Sequence, residues 1–255
     1  MKIGVCTGTE NIALAKAAGC DYIELSFHGI AKQNHEEFVQ TKQLLAQAGI
    51  ACEAMNCFIP GEFELISPAL DMNALKAYLN HGFARAKELG AEVVVFGSSG
   101  ARKLPDKLSK QDGWMQLAPV LALAGDCAKQ HGVTVAIEPL RNAECNCVNT
   151  LKDGMELMRL IGHSHVHLLA DMYHMGENGE DISDIALLGN DFRHCHIARP
   201  GNRGYPLPGD GYDYVPFFAT LRSIGYAGRL SIEGRSDQMQ VELRKSVAYL
   251  RELAA

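Results

Sequence analysis

Four side chains of the metal-ligating type stand at the ends of short apolar runs in the second half of the chain: Glu138 before Pro139, Asp171, His196, and Glu233 before Gly234. Three carboxylates and one imidazole make a hard, oxygen-rich donor set. It suits one divalent ion such as Mn²⁺, Mg²⁺ or Co²⁺, with Zn²⁺ also compatible. A lone carboxylate at such a position is commonly structural or merely solvated, and a lone histidine is commonly a satisfied interior residue. Four such side chains at four successive run ends point to a single centre. An α-hydroxy carbonyl compound could chelate an ion there through two oxygens, lose a proton to a carboxylate and pass through a metal-stabilised enediolate. Proton return to the far face of the same carbon is epimerisation. Return to the neighbouring carbon is aldose–ketose isomerisation, and loss of a β-hydroxyl is dehydration.

These residues need a scaffold that brings strand ends together. Strand-length β-branched or apolar runs alternate with longer segments of helical period, the mark of repeated βα units on a parallel sheet. Eight such runs are found, at Lys2–Cys6, Asp21–Leu25, Ala51–Met55, Glu92–Phe96, Val133–Glu138, His165–Asp171, Phe192–Ile197 and Arg229–Glu233. Each is followed by a helical pattern, clearest where Leu75, Tyr78, Leu79, Phe83, Ala86 and Leu89 precede Gly90. The pattern after the sixth run is the least distinct. Gly19, Gly49, Gly90 and Gly132 stand just before strands, where they end the preceding helices. The turn after the first strand, Cys6-Thr7-Gly8-Thr9-Glu10, lacks the G-x-G-x-x-G of a dinucleotide-binding open sheet. The expectation is a single (β/α)₈ TIM barrel over residues 1–255, with its active site at the C-terminal strand ends.

Other histidines and cysteines fit that frame as supporting residues. His163, His165 and His167 alternate along one face, but at about 3.3 Å per residue His167 lies roughly 13 Å below Asp171. The trio is therefore expected in the lower barrel or its entry loop. His194, two residues before His196, is expected beneath the metal set or in the core. The pair Cys145-x-Cys147 lacks the second pair of a structural zinc site. At the rim, Gly97-Ser98-Ser99-Gly100-Ala101-Arg102-Lys103 and the Pro200–Gly211 loop with Arg199, Gly201 and Arg203 offer amides and cations that could hold a phosphate or carboxylate.

Composition narrows the classes further. Apolar residues make up 47% and charged residues 21% of 255 positions, values of an ordinary globular domain. A net charge of −6 without a basic stripe argues against nucleic acid as a partner. No apolar run is long enough to cross a membrane, and the first residues do not build a secretory signal. Eight scattered cysteines do not form a disulfide framework, so a reduced, cytoplasmic protein is expected. A homo-oligomer is compatible with the sequence.

Four segments carry a resemblance: Ala136-Ile137-Glu138-Pro139 with Glu144 six residues on, Asp171-Met172-Tyr173-His174, His194-Cys195-His196-Ile197, and Ser231-Ile232-Glu233-Gly234. In these the chain resembles the xylose isomerase-like barrel superfamily, in particular its sugar and sugar-phosphate isomerase and epimerase branch, which includes the ketose 3-epimerases. The resemblance spans essentially the whole chain and is strongest in the second half. It implies that Glu138, Asp171, His196 and Glu233 hold the metal, that Glu138 and Glu233 double as acid and base, and that His174 and Glu144 contact substrate hydroxyls. The family's substrate-binding arginine falls one position before Arg203. Two further departures, Arg199 in place of an acidic residue and Arg141-Asn142 in place of Asn-Arg, also fall on substrate contacts and leave the metal set intact. The implied activity is isomerisation or epimerisation of a small carbohydrate-like α-hydroxy ketone. The alternative is a metal-dependent dehydratase or lyase acting on a keto-inositol or hydroxy-keto acid. An apurinic-site endonuclease would need further imidazoles after strands three, four and seven. A non-catalytic sugar-binding barrel would have lost one of the two glutamates.

Overall fold

A computed structural model describes residues 1–255 and shows a closed barrel of eight parallel strands in chain order. The strands are β1 (Lys2–Cys6), β2 (Tyr22–Ser26), β3 (Ala51–Asn56), β4 (Val93–Phe96), β5 (Thr134–Ile137), β6 (Val166–Asp171), β7 (Phe192–Ile197) and β8 (Arg229–Ile232). Closure comes from β1 pairing with β8, with Lys2 opposite Arg229 and Val5 opposite Ile232. The (β/α)₈ expectation holds, and each strand lies within one or two residues of its expected place. Glu138 and Glu233 stand one residue beyond the strands that carry them.

Nine α-helices surround the barrel: α1 (Ile12–Ala17), α2 (Phe27–Lys32), α3 (His35–Ala48), α4 (Met72–Leu89), α5 (Lys110–His131), α6 (Leu151–Ile161), α7 (Met172–Asn178), α8 (Val215–Ser223) and α9 (Met239–Ala254). Gly49, Gly90 and Gly132 close α3, α4 and α5 in the left-handed conformation that L residues adopt only at a cost. The indistinct segment after β6 is a two-turn helix, α7, followed by a 3₁₀ stretch over Ile182–Asp191 broken at Gly189, which explains its missing helical period. No helix is long and apolar enough to cross a membrane.

Two apolar bodies hold the fold. The larger joins outward-facing strand residues to the helices, as where Phe27 meets Phe58 and Phe83 edge-on at 4.9 and 5.2 Å. The smaller comprises Tyr22, Ala54, Val93, Val95, Ala136 and Leu169. Because side chains alternate along a strand, Ala136 shares its face with Glu138, Leu169 with Asp171, His194 with His196, and Ser231 with Glu233. The strand face that fills the barrel interior thus runs upward into the ligand-type residues. Gly4 of β1 leaves the space that the Tyr22 ring occupies.

Helix α4 passes close to Phe27 at Gly82, where a Cβ would overlap the buried ring. Alanine is favoured over glycine by about 1 kcal/mol in a helix interior, whereas overpacking of a filled core costs about 1–3 kcal/mol. Gly82→Ala is expected to lower the unfolding free energy by about 1–2 kcal/mol in urea titrations, because the ring has no room to withdraw. An unchanged or higher midpoint would show that Phe27 can move aside.

Candidate active site

The four strand-end residues converge. One ligand atom from each of Glu138, Asp171, His196 and Glu233 lies within 4.8 Å of all the others. Glu138, Asp171 and His196 are buried and Glu233 is partly exposed, so the cluster sits at the floor of the barrel mouth. His196 Nδ1 is 3.0 Å from Glu138 Oε1 and 3.6 Å from Glu233 Oε2. Asp171 does two jobs at once. Its Oδ1 accepts from the Tyr173 amide at 2.8 Å and caps α7, while its Oδ2 is buried with no hydrogen-bond partner.

Charge explains the strain in this arrangement. Burial, then the charges of Glu138 and Glu233, push the Asp171 carboxyl up to about 8. Burial and the Glu233 charge also raise Glu138. Burial acts the same way on Glu233, but the positive charges of His196 and Arg203 outweigh it and hold this carboxyl down at about 2. For His196 the downward push of burial is overcome by Glu24 and Glu233, and the ring titrates well above its ordinary range. Arg203 supplies positive charge among carboxylates that would otherwise repel one another. The donors fit a divalent cation: hard oxygens dominate, one imidazole completes the set, and Asp171 Oδ2 is a buried oxygen lacking a partner.

The expected substrate contacts lie beside this floor. His174 is buried; its Nδ1 accepts from the Arg141 amide at 3.2 Å, so its Nε2 carries the hydrogen. That Nε2 has no hydrogen-bond partner, its nearest carboxylate oxygen being Asp171 Oδ2 at 3.4 Å. Burial, reinforced by Arg203, lowers the His174 ring to about 3 and keeps it neutral. Arg203 donates to Glu233 Oε2, reaches Glu144 at 3.4 Å and stacks over Tyr173 at 4.8 Å. Glu144 also accepts from Arg141 Nε at 2.6 Å, so it bridges two guanidinium groups instead of standing free in solvent. On the β1–β3 side a cleft of about 470 Å³ opens beside Glu233, with Glu10, Ser26, Gln33 and Asn56 in its wall.

Two expectations about supporting histidines hold. His163 and His165 precede β6, where His165 Nδ1 meets the Val133 carbonyl at 2.9 Å and His163 pairs with Asp126. His194 lies beneath His196 with the two rings 5.0 Å apart. The rim reading of Arg102 is corrected. This side chain is fully buried, donates to the carbonyls of Phe96 at 3.1 Å and Glu138 at 2.6 Å, and faces no solvent anion. The Phe96 carbonyl also accepts from the Glu138 amide at 3.2 Å, so the guanidinium ties the ends of β4 and β5 together.

Sequence reasoning missed one further group and the partners of another. Glu24 of β2 is fully buried and touches both His194 and His196, at 2.8 and 2.9 Å. Its signal was a charged residue inside the apolar run Tyr-Ile-Glu-Leu, at the spacing of Tyr22. Arg141 stood out only as a departure from the family pattern; its ties to Glu144 and Glu177 were not legible.

A parallel eight-stranded barrel with a carboxylate and imidazole cluster at its C-terminal mouth defines an enzyme-type barrel. The chain belongs to the xylose isomerase-like TIM barrel family, whose model matches residues 12–253. An L-ribulose 3-epimerase of Mesorhizobium japonicum is 27% identical over 257 residues, covering 96% of this chain and 82% of that protein. The fold is shared with the D-psicose 3-epimerase of Clostridium cellulolyticum crystallised with D-tagatose, at a TM-score of 0.87 and 19% identity over 100% of this chain and 99% of the other. It is shared also with the 3-keto-D-glucoside 4-epimerase of Escherichia coli, at a TM-score of 0.84 and 22% identity over 99% of both chains.

Arg102→Met removes the guanidinium from the carbonyls of Phe96 and Glu138; Phe96 keeps the Glu138 amide, but the buried Glu138 acceptor left unpaired costs about 1–3 kcal/mol. The variant is expected to unfold at distinctly lower urea concentration than the wild type. Equal midpoints would mean that those carbonyls do not depend on the guanidinium.

Proposed function

We propose that this chain is a divalent-metal-dependent epimerase or isomerase of a small α-hydroxy ketone, a ketose or related keto-polyol, in which Glu138 and Glu233 carry the proton transfers. The observation that carries the reading is the convergence of Glu138, Asp171, His196 and Glu233 on one point of the barrel mouth. The epimerase names of the relatives support the substrate class.

A divalent cation bound by this quartet would polarise the substrate's carbonyl and adjacent hydroxyl oxygens and make the intervening C–H acidic. The residues of the chain do the rest. Glu138 and Glu233 follow β5 and β8, non-neighbouring strands of the ring, and both reach His196 Nδ1. A carbon chain lying between them meets a carboxylate on each face. One takes the proton and the other supplies a proton to the opposite face, so configuration inverts; the roles exchange for the reverse reaction. Arg203 and Asn56 hold the two oxygens of Glu233, which fixes the carboxylate's direction.

His174, Glu144 and Arg203 are the groups we assign to substrate hydroxyls. A neutral His174 with a free Nε2–H is a donor of fixed direction. Glu144 is an acceptor braced by two guanidinium groups, and Arg203 supplies donors beside it.

The reading is tested by incubating Mn²⁺-treated protein with ketoses, keto-acids and inosose-type ketones in D₂O and following deuterium uptake by NMR or mass spectrometry. Uptake at the carbon beside the carbonyl is expected, with product of inverted or isomerised configuration. Glu138→Gln and Glu233→Gln should each slow it by about 10²–10⁴-fold, the usual contribution of a positioned acid or base. Exhaustive chelation should abolish uptake and re-addition of the metal restore it. Uptake that survives chelation or both substitutions overturns the mechanism, and release of water with formation of an unsaturated ketone would identify a dehydratase instead.

A further inference from the structure

Beneath the quartet lies a polar chain inside the barrel that the proposed reaction does not use. Glu24 is fully buried, with Oε1 2.9 Å from His196 Nε2 and Oε2 2.8 Å from His194 Nε2. Ser231 donates its hydroxyl hydrogen to Glu24 Oε2 at 2.6 Å, and Tyr22 in turn meets that hydroxyl oxygen at 2.7 Å. All five side chains are fully buried and come from β2, β7 and β8. A carboxylate in such a place is costly unless its oxygens are hydrogen-bonded, and here both are, to side chains of the neighbouring strands β7 and β8.

We infer that Glu24 is a positioning residue that fixes the tautomer of His196. An ionised carboxylate only accepts, so the ring nitrogen facing it must carry a hydrogen. With Nε2–H committed downward to Glu24, the Nδ1 side of His196 is the one presented to Glu138, Asp171 and Glu233. A His196 left to choose could place its hydrogen on Nδ1 and close the ligand set. The Glu24 hydrogen bond removes that choice and sets the ring plane, as carboxylates behind ligating histidines do. His194, two residues earlier on β7, holds the second oxygen and keeps the carboxylate from turning away. The function of this contact rests on the metal reading above; its geometry and the resulting tautomer do not.

The test uses whole protein labelled with ¹⁵N-histidine. In the wild type, His196 Nε2 is expected to carry a slowly exchanging hydrogen, both without metal and with Mg²⁺, visible as a directly bonded ¹H–¹⁵N pair shifted downfield by its carboxylate partner. Glu24→Gln keeps the shape but removes the charge. It should lose that downfield signal and weaken Mn²⁺ binding, measured by equilibrium dialysis, by about 10–100-fold. Tyr22→Phe, at the far end of the chain, should leave both readouts unchanged and serves as the control for general disturbance of the barrel. A wild-type Nε2 without a hydrogen, or a Glu24→Gln variant that binds Mn²⁺ as the wild type does, overturns the inference. If the wild type binds no divalent cation, the metal reading fails, while the metal-free spectrum still decides whether Glu24 sets the tautomer.

Discussion

Three carboxylates crowded at the floor of a nearly dry barrel mouth is the condition around which the rest of this molecule is organised. Left alone, Glu138, Asp171 and Glu233 would repel one another in a place where water cannot screen them. The structure answers with positive charge and directed donors. His196 stands among them, Arg203 reaches in from the β7 loop, and the amide of Tyr173 takes one oxygen of Asp171. One buried oxygen, Asp171 Oδ2, keeps no partner, and the Asp171 carboxyl is pushed up to about 8 by burial and its acidic neighbours. A site that holds this much like charge in register could hold a cation.

The scaffold tolerates that charge because it is rigid beneath and adaptable above. Below, Tyr22, Glu24, His194 and Ser231 tie β2, β7 and β8 together across the interior, and Gly4 leaves space for the Tyr22 ring. Beside it, Arg102 pins the backbone at Glu138 to that at Phe96. Gly97 belongs to the same device, since a Cβ there would collide with Glu138 Oε2. Above, Arg141, Glu144 and Arg203 on loops and Glu177 at the end of α7 form a charged lattice at the mouth, the part of a barrel where substrate preference varies most readily.

Much of this was legible in the chain itself, and the reason is periodicity. The eightfold alternation and the glycines before strands identified the barrel, and the strand-end rule then singled out Glu138, Asp171, His196 and Glu233. Strand bounds moved by a residue at Glu138 and Glu233, which still donate their amides to Phe96 and Ile197 but stand just past the ends of β5 and β8. What escaped was fixed by contacts between distant segments. Arg102 looks like a rim cation in a glycine-rich loop, and only the fold shows that it turns inward onto carbonyls separated from it by 6 and 36 residues. Glu24 is 172 residues from His196. Its presence in an apolar run was visible, but its partner was not. The bridging of Glu144 to two guanidinium groups was hidden because Arg203 is its neighbour only in three dimensions.

The account stands on the quartet being a single cation site. Titration of the metal-depleted wild type with Mn²⁺, followed by the loss of the free-ion electron paramagnetic resonance signal, measures this directly. One tightly bound ion per chain is expected, and Asp171→Asn, which keeps the α7 cap but removes the unpartnered anionic oxygen, should abolish that tight class. Absence of tight binding in the wild type, or an unaltered tight site in Asp171→Asn, would contradict it.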